Sequence, residues 1–166
     1  MEQEYTKEQY EYETNQHIFH VRNLISFFKA HLEMAAAGHD ESKLKPDEAD
    51  GFIQVIPKLK GSTYGSDDYK ANLDAIRPTI DLHQSRNRHH PEFHKNGIND
   101  MTLVDIVEMF CDWLAATKRH DDGNIHDSIR ISEKRFHLSP QLAYIFHNTA
   151  EQIFSKPLAG GENDQS

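Results

Sequence analysis

His39 and Asp40 stand side by side after a run of helical periodicity, and they offer what a divalent cation takes from a protein: a neutral imidazole and an ionised carboxylate. The dipeptide alone carries no specificity. Two residues raise its weight, His17 on the preceding helix and Asp112 in the segment Cys111-Asp112-Trp113-Leu114-Ala115-Ala116. A carboxylate buried without a partner in so apolar a segment is costly, and a cation offsets that cost. The sequence therefore predicts His17, His39, Asp40 and Asp112 as the core ligands of a metal site. Asp105, Glu108 and Asp112 recur at steps of three and four, which makes one face of their helix acidic. A structural ion pair of Asp112 with Arg119, Arg130 or Arg135 is the competing account. Glu108 reads as structural or as the partner that orients a ligand histidine through its other ring nitrogen.

The chain holds 12 histidines in 166 residues, an excess that must be placed. His83, His89 and His90 cluster with Arg86 and Arg88 in one polar segment, and Lys43 follows Asp40 by three residues. Positive charge gathered there in an otherwise acidic chain predicts a small anionic, phosphate-containing substrate. Lys43, Arg86, Arg88 and His89 are the expected substrate contacts, because guanidinium and ammonium groups hold phosphate oxygens and stabilise developing charge. Surface solubility is the plainer reading of Lys43, Arg86 and Arg88, and phosphate contact or helix capping the plainer reading of these histidines. His20, His31, His120, His126, His137 and His147 read as surface or packing residues.

The elements that must position these groups are all helical. No period-2 run suggests a strand, whereas apolar residues repeat at helical spacing through most of the chain. Ile18, Val21, Ile25, Phe28 and Leu32 form one stripe of a helix over 14–36, with Gly38 as terminator. Pro46, Asp47 and Glu48 open a second helix to about Ile56, closed by Pro57 and Gly61. A third, capped by Ser66 or Asp67, runs to about Arg86 with a kink at Pro78, and a polar loop spans 87–100. A fourth, over 102–119, is apolar on most of its surface and should be central. Two more cover 125–135 and 140–154, and the segment 158–166 is expected to be disordered. If the third helix ends near Arg86, the loop can still fold His89 or His90 inward. The expectation is an all-α domain of about six helices over 1–155.

The formal charge of −9 excludes a general nucleic-acid-binding surface, which needs clustered Lys and Arg. No apolar run is long enough to span a bilayer, and the acidic start Met1-Glu2-Gln3-Glu4 is unlike a signal peptide. The lone Cys111 fits a reducing compartment, so a cytoplasmic location is expected; an oligomer is open. Cys111 on a helix taken as buried is a poor nucleophile, and nothing near Ser42 forms a serine triad.

The order His17, His39-Asp40, Asp112 resembles the H…HD…D pattern of the HD superfamily over residues 14–120. The segments His39-Asp40-Glu41-Ser42-Lys43, His83 through Pro91 and Glu108 through Trp113 are further similar to a phage and bacterial family of uncharacterised domains, the DUF5662 type. The superfamily resemblance implies a helical bundle with one or two divalent ions, most often hydrolysing phosphoesters or nucleotides. Two-metal members add histidines between the HD pair and the last Asp, which brings His83 and His90 forward as further ligands. The implied chemistry is a metal-activated water, with Lys43 and Arg86 stabilising charge and His83 or a metal-bound water as candidate acid. Manganese, iron, cobalt, nickel or zinc suits mixed His and carboxylate ligands, and magnesium stays open. Two other readings stand: an HD-type di-iron oxygenase, and a non-catalytic, metal-stabilised module that sequesters a nucleotide.

Overall fold

The computed structural model describes residues 5–60, 67–118 and 123–154, and these are all-α, with no strand among them. The chain divides into two compact units, Met1–His39 and Asp40–Ser166, where one domain over 1–155 was expected. None of the described helices is long and apolar enough to cross a membrane. The Ser66 cap, Arg119, His120 and the segment 158–166 lie outside the described residues.

The first unit is one helix, α1 (Lys7–Gly38), longer at both ends than its apolar stripe predicts. The extension has a local cause. Thr6 accepts from the Gln9 backbone N–H while the Gln9 side chain accepts from the Thr6 N–H, a capping box that starts the helix early. Lys7–Glu11 and Lys29–Glu33 ion pairs at four-residue spacing add support along the shaft. No residue of α1 is buried.

The second unit holds α2 (Pro46–Lys60), α3 (Asp67–Asp74), α4 (Arg77–Arg86), α5 (Leu103–Thr117), α6 (Ile125–Phe136) and α7 (Pro140–Thr149), the last running on into a π turn at Ala150–Phe154. Pro57 is carried inside α2 rather than closing it. The single helix expected up to Arg86 is two. Pro78 falls in the first turn of α4, where its missing N–H costs nothing, so it marks a helix start instead of a kink. The stretch 87–100 is not an open loop; it carries two short 3-10 turns, Pro91–Phe93 and Gly97–Asp100.

Two packed layers support the site. Met109 and Phe110 of α5, Ile129 of α6, and Ala143, Phe146 and Ala150 around α7 form a buried core, with Phe110 and Phe146 stacked at 4.9 Å. In the other layer α2 lies against α4. A Cβ added to Gly51 would sit 2.2 Å from Thr79 Oγ1, so glycine lets these helices approach closely enough to bring Glu48 against His83. α5 is less enclosed than its sequence predicts: Leu103, Val107 and Cys111 are exposed, and Met109, Phe110 and Asp105 are buried.

Candidate metal centre

Four side chains of the second unit converge. One ring nitrogen from each of His83, His89 and His90 and one carboxylate oxygen of Asp40 all lie within 4.8 Å of one another. His83 Nε2 is 3.2 Å and His89 Nε2 3.5 Å from Asp40 Oδ1, and His90 Nε2 is 2.9 Å from His83 Nε2. Donors about 2.0–2.2 Å from one ion stand at most about 4.4 Å apart, and all three of these separations fit.

Local sequence explains how each group arrives. Asp40 adopts a left-handed backbone (φ 56°), which Asp tolerates better than most residues, and this turns the chain into the 3-10 turn Glu41–Leu44. Lys43 Nζ then donates to Asp40 Oδ2, leaving Oδ1 toward the histidines. His83 is in the last turn of α4. The helix ends at Arg86, Asn87 turns out in extended conformation, and the chain folds back so that His89 and His90 both return to His83. The sequence left open which of the two would turn inward; both are in the cluster.

The outer nitrogens are held as a metal ligand requires. His83 Nδ1 is 2.9 Å from Glu48 Oε2, and His89 Nδ1 is 2.9 Å from Glu108 Oε1. With the proton on Nδ1 and donated to the carboxylate, each Nε2 lone pair faces inward. Glu48 is 0% exposed, His89 1% and His83 3%. Glu48 also accepts from Ser42 Oγ at 2.9 Å and Arg86 at 3.0 Å, and Asn87 Nδ2 donates to Ser42 Oγ at 2.7 Å. Burial, with His89 and His83 beside it, pushes His90 down to about 3, so it is a neutral imidazole at physiological pH. Three imidazoles and one carboxylate, with the outer ring nitrogens of two of them set against carboxylates, fit a divalent transition metal.

His17, His39 and Asp112 are not among these four. His17 is exposed in the middle of the unbroken α1, and at about 1.5 Å per residue it stands roughly 33 Å along the axis from His39, so one ion cannot take both. His39 is the C-cap of α1 and closes the first unit. Asp112 is partly buried on α5 and lines a cavity of about 250 Å³ together with His89 and His90. Of its anticipated arginine partners, Arg130 pairs with Asp127 and Arg135 with Glu92.

The two arginines expected to hold phosphate are engaged by carboxylates. Arg86 spans Asp47 and Glu48 at 2.6 and 3.0 Å, and Arg88 grips both oxygens of Asp105 at 3.0 Å each. Burial works to raise the Asp105 carboxyl, but hydrogen bonds from Arg88 and Thr102 outweigh it and hold it below the ordinary carboxylate range. Both guanidiniums are thus paired, and Arg86 is linked to His83 of the cluster through Glu48. His83 has Glu48 on one nitrogen and the cluster on the other, and His89, also buried, is placed in the same way between Glu108 and Asp40.

Sequence reasoning missed Glu48, whose acidic type was credited to the helix dipole; its pairing with His83 spans 35 residues and has no local signal. Glu108, expected to be structural or to orient a ligand histidine, stands 2.9 Å from His89 Nδ1. Two histidines read as packing residues, His126 and His147, contact each other at 2.7 Å.

The chain belongs to the DUF5662 family, a family of unknown function, whose model matches residues 6–155. No curated protein and no solved structure matches it.

Proposed function

We propose that this protein is a metal-dependent phosphohydrolase, acting on a small phosphoester or nucleotide, with Asp40, His83, His89 and His90 holding the ion. The observation that carries the reading is the double carboxylate support. Two buried histidines are each fixed through Nδ1 by a carboxylate from a different helix, with both Nε2 atoms turned toward Asp40. Packing alone gives no reason to bring three imidazoles and a carboxylate together, because each brings a desolvation cost.

A divalent ion at this centre supplies Lewis-acid polarisation of a phosphoryl oxygen and acidifies a water. The chain's own residues do the rest. Glu48 and Glu108 fix tautomer and ring direction, and Asp40 brings the one anionic donor. Lys43, held against Asp40, places a cation beside the centre and takes the charge-stabilising role first assigned jointly to Lys43 and Arg86. Asp112, in the wall of the adjoining cavity, stands where an incoming substrate meets His89 and His90.

Hydrolysis of generic phosphoesters and a nucleotide panel under Mn²⁺, Co²⁺ and Mg²⁺ tests the reading. Turnover that survives in the absence of oxygen and disappears in His83→Ala supports it, and oxygen-dependent turnover replaces it with the oxygenase. Tight metal and nucleotide binding without turnover replaces it with the sequestering module. One observation favours this last alternative: Arg86 and Arg88, the expected phosphate contacts, are already committed to carboxylates.

A further inference from the structure

The cavity of about 250 Å³ beside the candidate metal centre is lined by His89 and His90 together with Met109, Trp113 and Phe136. Its walls join α5 and α6 to the histidine turn, so it is continuous with the cluster through two of the four candidate ligands. Its lining is mixed, with Trp113 and Phe136 as aromatic surfaces and Gln84, Asp112, Ser128 and Arg135 among the polar groups, and small-molecule sites typically measure about 300–1,000 Å³. This one lies just below that range and takes only a compact group. Trp113 and Phe136 are nearly parallel, 4° apart with centroids at 6.3 Å, and Trp113 meets Phe146 edge to face. Flat aromatic walls favour a flat aromatic guest. Asp112 and Arg135 are also in the wall, and with one carboxylate and one guanidinium the lining gives no net preference for a charged ring.

We infer that this cavity is the subsite for the organic part of the substrate, and that the substrate is a phosphomonoester of a compact, uncharged aromatic group whose phosphate faces His89 and His90. The inference rests on the proposed hydrolase reading for the direction of the phosphate; the ring's place rests on the cavity alone. Ser132 of α6 is buried and lines the cavity.

Trp113 is the only tryptophan in the chain, so its emission reports directly on the cavity without any need for turnover. Full-length protein loaded with Zn²⁺ is titrated with phenyl phosphate and, separately, with methyl phosphate, by tryptophan emission and by calorimetry. The expected result is a saturable emission change with phenyl phosphate at least ten-fold tighter than methyl phosphate. Ser132→Leu, which fills the cavity, should weaken phenyl phosphate at least ten-fold with metal stoichiometry unchanged. Should far-UV dichroism show that variant unfolded, Ser128→Leu on the same wall takes its place. Equal binding of the two esters, no heat and no emission change, or wild-type affinity in a folded leucine variant overturns the subsite while leaving the metal centre standing. A chain that takes up no zinc yet keeps the ring-dependent response retains the subsite and removes the hydrolase.

Discussion

His83 Nδ1 lies 2.9 Å from Oε2 of Glu48, a carboxylate with no exposed surface that also takes a hydrogen bond from Arg86. Loss of such an orienting carboxylate typically lowers metal affinity about 10–100-fold. Glu48→Gln keeps the shape and an acceptor but removes the charge, so metal binding should weaken toward the low end of that range with the fold retained. Glu48→Ala should weaken it more. Competition against a chromophoric chelator, with far-UV dichroism alongside, reads both; equal affinity in folded wild type and Glu48→Ala contradicts the assignment.

Gly51 of α2 faces Thr79 of α4 with no room for a Cβ. Alanine is ordinarily the better helix residue by about 1 kcal/mol. Gly51→Ala should nevertheless lower stability, because its Cβ would meet the β-branched side chain of Thr79, which has little freedom to move away. Metal affinity should fall with it, since the same contact sets the distance from Glu48 to His83. Urea unfolding and metal competition on this one variant measure the two effects together.

Arg88 and Asp105 make a two-point ion pair in which the carboxylate is buried and the guanidinium half exposed. Arg88→Met should cost about 1–3 kcal/mol, the range for losing hydrogen bonds to a charged group. The pH dependence has a definite sign. The Asp105 carboxyl is held below its unfolded value of about 3.9, so its contribution is complete above that pH and is lost as pH falls through the folded value. Wild type should therefore lose stability steeply below about pH 4, and Arg88→Met should lose much of that slope. Turnover per folded molecule should be unaffected, which separates this structural pair from a substrate contact.

The helical class was legible throughout, because apolar spacing and end signals act over a few residues. Thr102 and Asp105 at the start of α5, Asn124 ahead of α6, and Ser139-Pro140 ahead of α7 set those starts within a residue of the predicted ones. Pro78 was misjudged as a kink because proline suits a first turn as well as it disrupts an interior, and only the packing of α3 and α4 decides which. The candidate ligands Asp40, His83 and His90 were readable from residue type. What sequence could not supply was pairing at a distance: Arg86 with Glu48, Arg88 with Asp105 and His83 with Glu48 are separated by 38, 17 and 35 residues. A cation near a cluster of histidines looks free until the carboxylate that binds it is found on another helix.

His17 offers a clean internal contrast. It is exposed on α1 and shares no ion with His39, so His17→Ala should leave metal content unchanged, whereas His89→Ala should lower it. Loss of metal in the folded His17 variant would contradict the ligand set Asp40, His83, His89 and His90.

The most direct measurement is metal content by mass spectrometry on protein purified without chelator and again after loading with zinc, manganese, cobalt or iron. The account predicts at least one transition-metal ion per chain, lost in His83→Ala and His90→Ala variants that keep their far-UV dichroism. No metal under any loading condition, or the same content in both folded variants, would contradict it.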